Sequence, residues 1–475
     1  MDVAWSGAHN ESHEEKTMEM DFFRDFLLVA EALSMARSRC NGKILCLCLL
    51  PCVMVSHLLI YIMVSVFVAV SYSPPLPQLP LHFIATGASA NSGALASHPV
   101  QPFWNLRLED GALWNRLQHI WDREHNPILR GNCTRYKYPS LDAIQPQDMG
   151  KTGACEQDKT LASHLPDFNT LPEQMKDFVL SMHCRRYAIL VDQPNLFFGQ
   201  DSETLFLLMA IKSQVGNFEN RQAIRETWGR SGRIQGDGGG RGWFIRTVFL
   251  LARQDTDTGP HPDLSALLKL ESNTHKDILQ WDFKDTFFNL TLKDVLFWDW
   301  FSQHCPHVHF IFKGDDDVFV RTKALLDYLD HVRVQKTLQN KTKGWDDFIV
   351  GDVIANAWPN RQPFTKYYIP ESFYKGTYPA YAGGGGVVYS GALAMRLQEV
   401  SRWVSLFPID DVYLGMCLHR LGVSPTHHSG FLTFDLPEDL REKPCAYHNV
   451  LLVHKRTPKE MITLWKELLV PPQEC

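Results

Sequence analysis

Lysine and arginine are missing from a long stretch of this chain: after Lys43 none occurs until Arg107. Within that gap Ile44 to Val70 is uncharged, broken only by His57 and a few small polar groups. At ~1.5 Å per residue such a run crosses a ~30 Å hydrocarbon layer with some tilt. Arg37, Arg39 and Lys43 precede it, so the positive-inside rule puts the N-terminus in the cytoplasm and the bulk of the chain in a lumen. A cleaved signal peptide is the competing reading, but the run is too long and begins too far along the chain. The expectation is a single-pass type II membrane protein. Its cytoplasmic tail is 1–43, its signal-anchor 44–70, and its stem 71–102, where Pro, Ser, Ala and Gly abound.

Other absences narrow the function. No long basic run occurs and the formal net charge is -6, which argues against nucleic acid as the main partner. Seven cysteines follow the stem (Cys133, Cys155, Cys184, Cys305, Cys417, Cys445, Cys475), and none forms a CxxC pair, which argues against zinc. In a lumen they would form disulfides. Seven is odd, so one thiol stays free or pairs between chains, which leaves a homo-oligomer open. Cys40, Cys46, Cys48 and Cys52 lie in or beside the span, where palmitoylation is chemically open. Glycosylation sequons stand at Asn132, Asn289 and Asn340.

The chain has 475 residues, 45% hydrophobic and 21% charged, enough to bury a large core. A pre-catalytic segment, 103–192, carries Leu113, Trp114, Leu117, Ile120 and Trp121 at helical spacing, which predicts a helix docked by its apolar face. From Leu205 onward strand and helix patterns alternate. Strands are predicted at Leu205–Ile211, Thr247–Leu251, Ile278–Phe283, His309–Phe312 and Phe348–Val353. Helices are predicted at Asn220–Trp228, Leu264–Glu271 and Leu290–Cys305. This order predicts an α/β domain, 193–475, with a mainly parallel sheet whose ligands bind at the carboxyl ends of the strands.

Three consecutive carboxylates, Asp315, Asp316 and Asp317, follow the His309–Phe312 strand, which Gly314 is expected to break. They repel one another, and hard oxygen ligands suit Mg²⁺ or Mn²⁺, which suit a diphosphate. A solvated acidic loop is the plain alternative. Tyr381 leads into Gly383 to Gly386, four glycines that allow backbone to approach a ligand. With Val387, Val388 and Tyr389 next, they predict a strand edge lining a pocket. No Gly-Lys-Ser/Thr follows, so this is not a Walker A loop. Asp410 and Asp411 open a predicted helix, where a carboxylate is either an ordinary cap or a base that accepts a proton. His454 ends an apolar strand, Val450 to Val453; it is either a plain strand-end residue or a metal ligand.

Together these clusters resemble the β-1,3-glycosyltransferases of the Golgi. The likeness runs through Ala210-Ile211-Lys212-Ser213, Arg221 to Gly229, Asp285 to Lys293 and the Asp triplet. It continues through Gly351-Asp352-Val353, Lys366-Tyr367-Tyr368-Ile369-Pro370, the Tyr381–Gly386 run, Pro408 to Tyr413 and Val453-His454. Within that family the chain looks most like the β-1,3-N-acetylglucosaminyltransferases that build poly-N-acetyllactosamine. The resemblance implies a GT-A fold in a Golgi membrane and an inverting displacement from UDP-GlcNAc onto a terminal galactose of glycoprotein or glycolipid glycans. It implies Asp317 and His454 as ligands of a divalent metal (Mn²⁺ or Mg²⁺) and Asp411 as the catalytic base. It further implies Arg221, Arg225, Asp285, Asp315, Asp316, Tyr381, Gly384 and Gly385 on the donor side. A β-1,3-galactosyltransferase using UDP-galactose, and a non-catalytic lumenal binding protein, are the alternatives. Two departures from the family pattern stand out: Leu196-Phe197-Phe198 where relatives often carry a cysteine, and a glycine-rich insertion at Gly236–Gly242.

Overall fold

Two neighbouring residues on a strand point to opposite sides of a sheet, and the Leu207–Lys212 strand shows what that does here. Leu208 and Ala210 enter one hydrophobic core, while Leu207, Met209 and Ile211 enter another. The computed structural model describes residues 111–125, 155–194, 205–235, 242–255, 262–305, 307–338 and 346–469, with short pieces at 56, 59–61, 63, 82–84 and 95–97.

Met1–Leu81 and His82–Cys475 are separate units. In the first, Ser56, Leu59, Ile60, Tyr61 and Met63 are helical and exposed. The rest of the expected 44–70 span lies outside the described residues, as do Asn132, Asn340, Leu196 to Phe198 and Gly236 to Gly240. Among the described residues no helix is long and apolar enough to cross a membrane.

The second unit opens with a small antiparallel pair, β1 (His82–Ile84) and β2 (Leu95–Ser97). Helices α1 (Leu113–His125) and α2 (Glu173–Ser181) follow, then β3 (Ile189–Val191). The main run is β4 (Leu207–Lys212), α3 (Phe218–Glu226), β5 (Gly232–Ile234), β6 (Trp243–Arg253), α4 (Ser265–His275), β7 (Ile278–Lys284) and α5 (Leu290–His304). After it come β8 (Phe310–Asp315), β9 (Phe319–Val320), α6 (Thr322–Leu338), β10 (Ile349–Ile354) and β11 (Tyr381–Ser390). The chain closes with α7 (Gly391–Ser401), α8 (Asp410–Leu421), β12 (Thr426–His427), β13 (Phe431–Leu432), β14 (Leu452–Val453) and α9 (Pro458–Leu469).

The main sheet has the order β12-β10-β11-β8-β4-β6-β7-β3, with β5 beside β6. One core joins it to α1, α2, α5, α7 and α8; the other joins it to α3, α4, α6 and α9. The result is a helix–sheet–helix sandwich. Strands buried on both faces read as continuous apolar runs, as β4 does.

The expectation of a mainly parallel sheet needs correcting. Among the described residues four pairings are parallel (β4–β6, β4–β8, β6–β7, β10–β12) and four antiparallel (β10–β11, β11–β8, β3–β7, β5–β6), so the sheet is mixed. The parallel centre comes from βαβ crossovers through α3, α4 and α5. The glycine-rich strand then enters in the opposite sense beside β8. That strand is internal, flanked by β10 and β8.

Gly314 does not break its strand either. It pairs with Ile211 on one side and Gly386 on the other, and a Cβ there would lie 2.6 Å from the Phe312 ring. Glycine is needed for close packing, and β8 continues to Asp315.

Helix α1 docks as its apolar spacing predicts. Trp114 is fully buried, edge-on to Tyr374 and Phe407, and its indole N–H donates to the carbonyls of Ser405 (3.0 Å) and Leu406 (3.2 Å). Asn115 and Gln118 add hydrogen bonds to Lys375 and to Trp403 and Ser405. Cys155 and Cys184 form a disulfide, and Cys445 is also disulfide-bonded; Cys305 and Cys417 are free and buried.

Candidate active site

The parallel strands β4, β6, β7 and β8 end at Lys212, Arg253, Lys284 and Asp315, and their register aligns Lys212 with both Leu250 and Asp315. The candidate residues collect along this carboxyl edge, where open α/β sheets bind ligands.

The Asp triplet is divided by the chain's course. Asp315 ends β8, and the turn after it leads into β9. That strand pairs antiparallel with β14, matching Phe319 to Val453. Residues just before β9 therefore meet residues just after β14, and Asp317 Oδ1 comes within 3.2 Å of His454 Nε2. The Arg456 N–H, donating to the Asp317 carbonyl at 2.6 Å, closes the junction. Asp316 turns the other way and accepts from the Asn217 amide at 2.9 Å, bracing the turn after β4.

Ligand atoms of Asp315, Asp317 and His454 all lie within 4.8 Å of one another. His454 Nδ1 is 3.0 Å from the Thr433 carbonyl. A carbonyl only accepts, so Nδ1 carries the hydrogen and Nε2 is the nitrogen that faces the two carboxylates. Metal-binding histidines are oriented in this way. Two carboxylates and one imidazole on one point fit an oxygen-preferring divalent ion such as Mn²⁺ or Mg²⁺. Burial works to raise the Asp317 pKa, but the hydrogen bond and charge of His454, with a smaller contribution from Lys366, hold it below the usual range. Burial pushes Asp315 up to about 6 against the pull of Lys212. The second close grouping of metal-binding side chains among the described residues, Cys155, His183 and Cys184, contains the disulfide.

Asp410 and Asp411 are the first residues of α8, and neither is its cap: that position is Ile409, with no capping side chain. Asp410 is buried and bonded to Lys212 and, at 3.3 Å, to Lys313. Lys313 also donates to Asp294 at 2.6 Å and lies 3.7 Å from Asp411. Two lysines thus offset two carboxylates, Asp294 and Asp410, in a buried network. Asp411 is the extra acid at its rim. Burial, then the negative charge of Asp410, push the Asp411 pKa up to about 7 against the two lysines. Burial also opposes ionisation of Asp410, yet Lys212 and Lys313 outweigh it and hold that carboxyl well down. A carboxylate whose proton affinity lies near neutral pH can act as a general base.

Asp315 connects the two halves of the site. Its carboxylate is 3.9 Å from Lys212 and also belongs to the cluster with Asp317 and His454. Between those halves runs β11. A Cβ at Gly384 would stand 2.7 Å from Asp411 Oδ2, and one at Gly385 3.3 Å from the His454 Cβ. Any side chain at either position would crowd Asp411 or His454. Tyr381, half-buried at the start of β11, packs against Gly415 of α8; burial pushes its hydroxyl up to about 12, with Asp411 adding to the effect.

The remaining residues stand further back. Asp285 accepts from the buried ammonium of Lys293 at 2.9 Å, and Lys293 also holds the Ser213 carbonyl at 2.7 Å; the second Asp285 oxygen is buried without a partner. Arg221 is fully buried and clamps the turn after β4, donating to Ser213, Gln214, Val215 and Glu271. Arg225 is paired with Asp277 and Glu271. The structure therefore does not bring these two arginines to the carboxylate cluster; Arg221 holds the turn that borders it, and Arg225 shares the Glu271 carboxylate with Arg221. The Asn289 amide donates to the Lys284 carbonyl at 2.9 Å, closing the end of β7.

Sequence reasoning did not single out Lys212, Lys313, Asp294 or Thr433. The first two carried a usable signal, since a lysine inside an otherwise apolar strand must be paired when buried. Thr433 acts through its backbone carbonyl and carried none.

Residues 219–429 match the Galactosyltransferase family. The chain belongs to that family. Among its relatives, N-acetyllactosaminide beta-1,3-N-acetylglucosaminyltransferase 2 of Mus musculus is 46% identical over 377 residues, 79% of this chain and 89% of the relative. The Homo sapiens protein of the same name is 45% identical over the same shares of each chain. N-acetyllactosaminide beta-1,3-N-acetylglucosaminyltransferase 4 of Homo sapiens is 46% identical over 62% of this chain and 72% of its own.

Proposed function

We propose that this chain transfers GlcNAc from UDP-GlcNAc in β-1,3 linkage to a terminal galactose of glycoprotein or glycolipid glycans, extending poly-N-acetyllactosamine. The observation that carries this reading is the placement of Asp411, raised in proton affinity, beside a two-carboxylate, one-imidazole cluster on the sheet's carboxyl edge. The names of the relatives support the choice of sugar and linkage.

Asp411 takes the proton of the galactose 3-hydroxyl as that oxygen attacks the anomeric carbon. The bond from that carbon to the diphosphate breaks, and its electron pair leaves with UDP. Backside attack converts the α-linked donor to a β-linked product in one step. General-base assistance of this kind is worth ~10²–10⁴-fold. Asp317 and His454, with Asp315 close by, would hold a divalent ion, which stabilises negative charge on a departing diphosphate when bound. Asp285 and Asp316 border the nucleotide on a GT-A type scaffold, while Arg221 fixes the turn beside it. Tyr381, Gly384 and Gly385 border the sugars.

The charge asymmetry around Ile44–Val70 supports a Golgi type II arrangement: tail 1–43, anchor 44–70, stem 71–102, pre-catalytic segment 103–192 and catalytic domain 193–475. A UDP-galactose donor is the second reading, favoured by the description of the matching family. The test is to incubate the purified full-length chain and a galactose-terminated acceptor with each nucleotide sugar, with and without chelator. Metal-dependent transfer from UDP-GlcNAc is expected; transfer from UDP-galactose alone would reject the proposal.

A further inference from the structure

The glycine run of β11 stands opposite a single residue of the neighbouring strand. Gly351 of β10 pairs with Val387 and Val353 with Ala382, so Asp352 alone faces the four glycines Gly383 to Gly386. A mismatch of this kind bends a strand out of its ladder and re-aims the side chains beside it. Thr433 packs against the bulged strand: a Cβ at Gly383 would stand 2.4 Å from its Oγ1 and 2.7 Å from its Cγ2. Asp352 reaches the same residue, its Oδ2 accepting from the Thr433 N–H at 3.3 Å. His427 Nδ1 lies 3.5 Å from Oδ1, but that nitrogen accepts from the Val353 N–H at 3.2 Å and so has no hydrogen to give.

Thr433 in turn holds His454. Strands β13 and β14 run parallel with Leu432 opposite Val453, so Thr433 and His454 leave their strands side by side. The His454 N–H donates to the Leu432 carbonyl at 3.1 Å, and its Nδ1 meets the Thr433 carbonyl at 3.0 Å. Nε2 is then left facing Asp315 and Asp317. Thr433 is thereby fixed at three points: its N–H on Asp352, its side chain on Gly383 and its carbonyl on the imidazole. A ligand keeps its orientation only when the group that orients it is itself locked in place.

We propose that Asp352 is a positioning residue for the cation site: it sets Thr433 against the glycine bulge so that His454 presents Nε2 to a divalent ion. This rests on the reading of His454 as a metal ligand. Asp352 acts as the acceptor of one backbone N–H, so its oxygen is required and its charge is not. The same arrangement requires glycine at 383, where a side chain would push Thr433 away from the strand.

The test titrates Mn²⁺ alone into the full-length chain, with the free ion read by electron paramagnetic resonance below the Tm of each variant. Asp352→Ala should weaken binding ~10-fold, the lower end of the effect of losing an orienting partner. Asp352→Asn keeps an oxygen for the Thr433 N–H and should stay within ~3-fold of the wild type, since no hydrogen bond is lost. Gly383→Ala displaces Thr433 from its other side with no change of charge, and should weaken Mn²⁺ binding ~10-fold as well. Added to His454→Ala, Asp352→Ala should change the affinity by no more than ~2-fold, because both substitutions act through one ligand. Unchanged affinity in Asp352→Ala would overturn the proposal. So would an Asp352→Asn variant as weak as Asp352→Ala, which marks charge acting at a distance, or losses that multiply in the double variant. If the wild type binds no Mn²⁺, or His454→Ala binds it as tightly as the wild type, the ligand reading of His454 fails and the proposal with it.

Discussion

Replacing Lys313 by Met tests how the buried network sets the base. The Lys313 ammonium lies 3.7 Å from Asp411, a separation worth about 4.5 kcal/mol at an effective dielectric of ~20. That corresponds to about three pKa units at ~1.36 kcal/mol each. Asp411 keeps 17% of its side chain exposed, so water and local relaxation reduce the effect, and a rise of about one to two units is expected. Asp411 begins from about 7, raised by burial and by Asp410. The base must be ionised to work, so activity disappears as pH falls through its pKa, and raising that pKa moves the acidic limb upward. Lys313→Met should therefore be about 5- to 50-fold slower than wild type near pH 7 and within about twofold of it at pH 9. Asp410→Asn removes the neighbouring negative charge and should move the same limb downward. The assay is kcat/KM for transfer from pH 5 to 9, read below the Tm of each variant. Stability matters because stripping one partner from a buried ion pair costs ~3–5 kcal/mol. A loss that is equal at every pH, or limbs that move in the same direction in both variants, would refute the reasoning.

Three further outcomes follow from the geometry. His454→Ala should weaken binding of Mn²⁺ by at least ~10–100-fold, the scale of losing even an orienting partner of a ligand, as measured by metal titration of the full chain. Gly384→Ala drives a methyl group toward Asp411 Oδ2, where the Cβ would stand at 2.7 Å. It should cost ~10²-fold in kcat with UDP affinity kept, since a shift of about 1 Å in a reacting group has that effect. Trp114→Ala empties a fully buried indole site between α1 and the Tyr374–Phe407 cluster and should lower stability by ~3–5 kcal/mol, read as a fall in Tm.

Much of the scaffold was legible because burial leaves a periodic trace. Strand β4 is six buried residues in a row, and the docking face of α1 shows as Trp114 and Leu117 at helical spacing. Strand sense was not legible. Nothing in Val387-Val388-Tyr389 states that β11 runs against β8, and a connection as long as that between β10 and β11 lets the chain return in either sense. Gly314 was misread for a related reason. Its propensity marks a break, whereas the ring of Phe312 and the backbone of Gly385 demand the absence of a Cβ.

The chemistry divides along the same line. Asp317 and His454 are 137 positions apart, and only the β9–β14 pairing brings them to 3.2 Å. Local spacing could not link them; the family's motif order could. Arg221 and Arg225 stood in that order too, yet their guanidinium groups are engaged by Glu271, Asp277 and the turn after β4. A motif marks a place near a site without saying which of its side chains reaches the ligand.

The most direct test of the account is single-turnover transfer by full-length Asp411→Asn, with UDP binding measured on the same sample. Transfer to a galactose-terminated acceptor should fall ~10²–10⁴-fold while UDP binds as in the wild type. Transfer at the wild-type rate would contradict the assignment of Asp411 and the mechanism built on it.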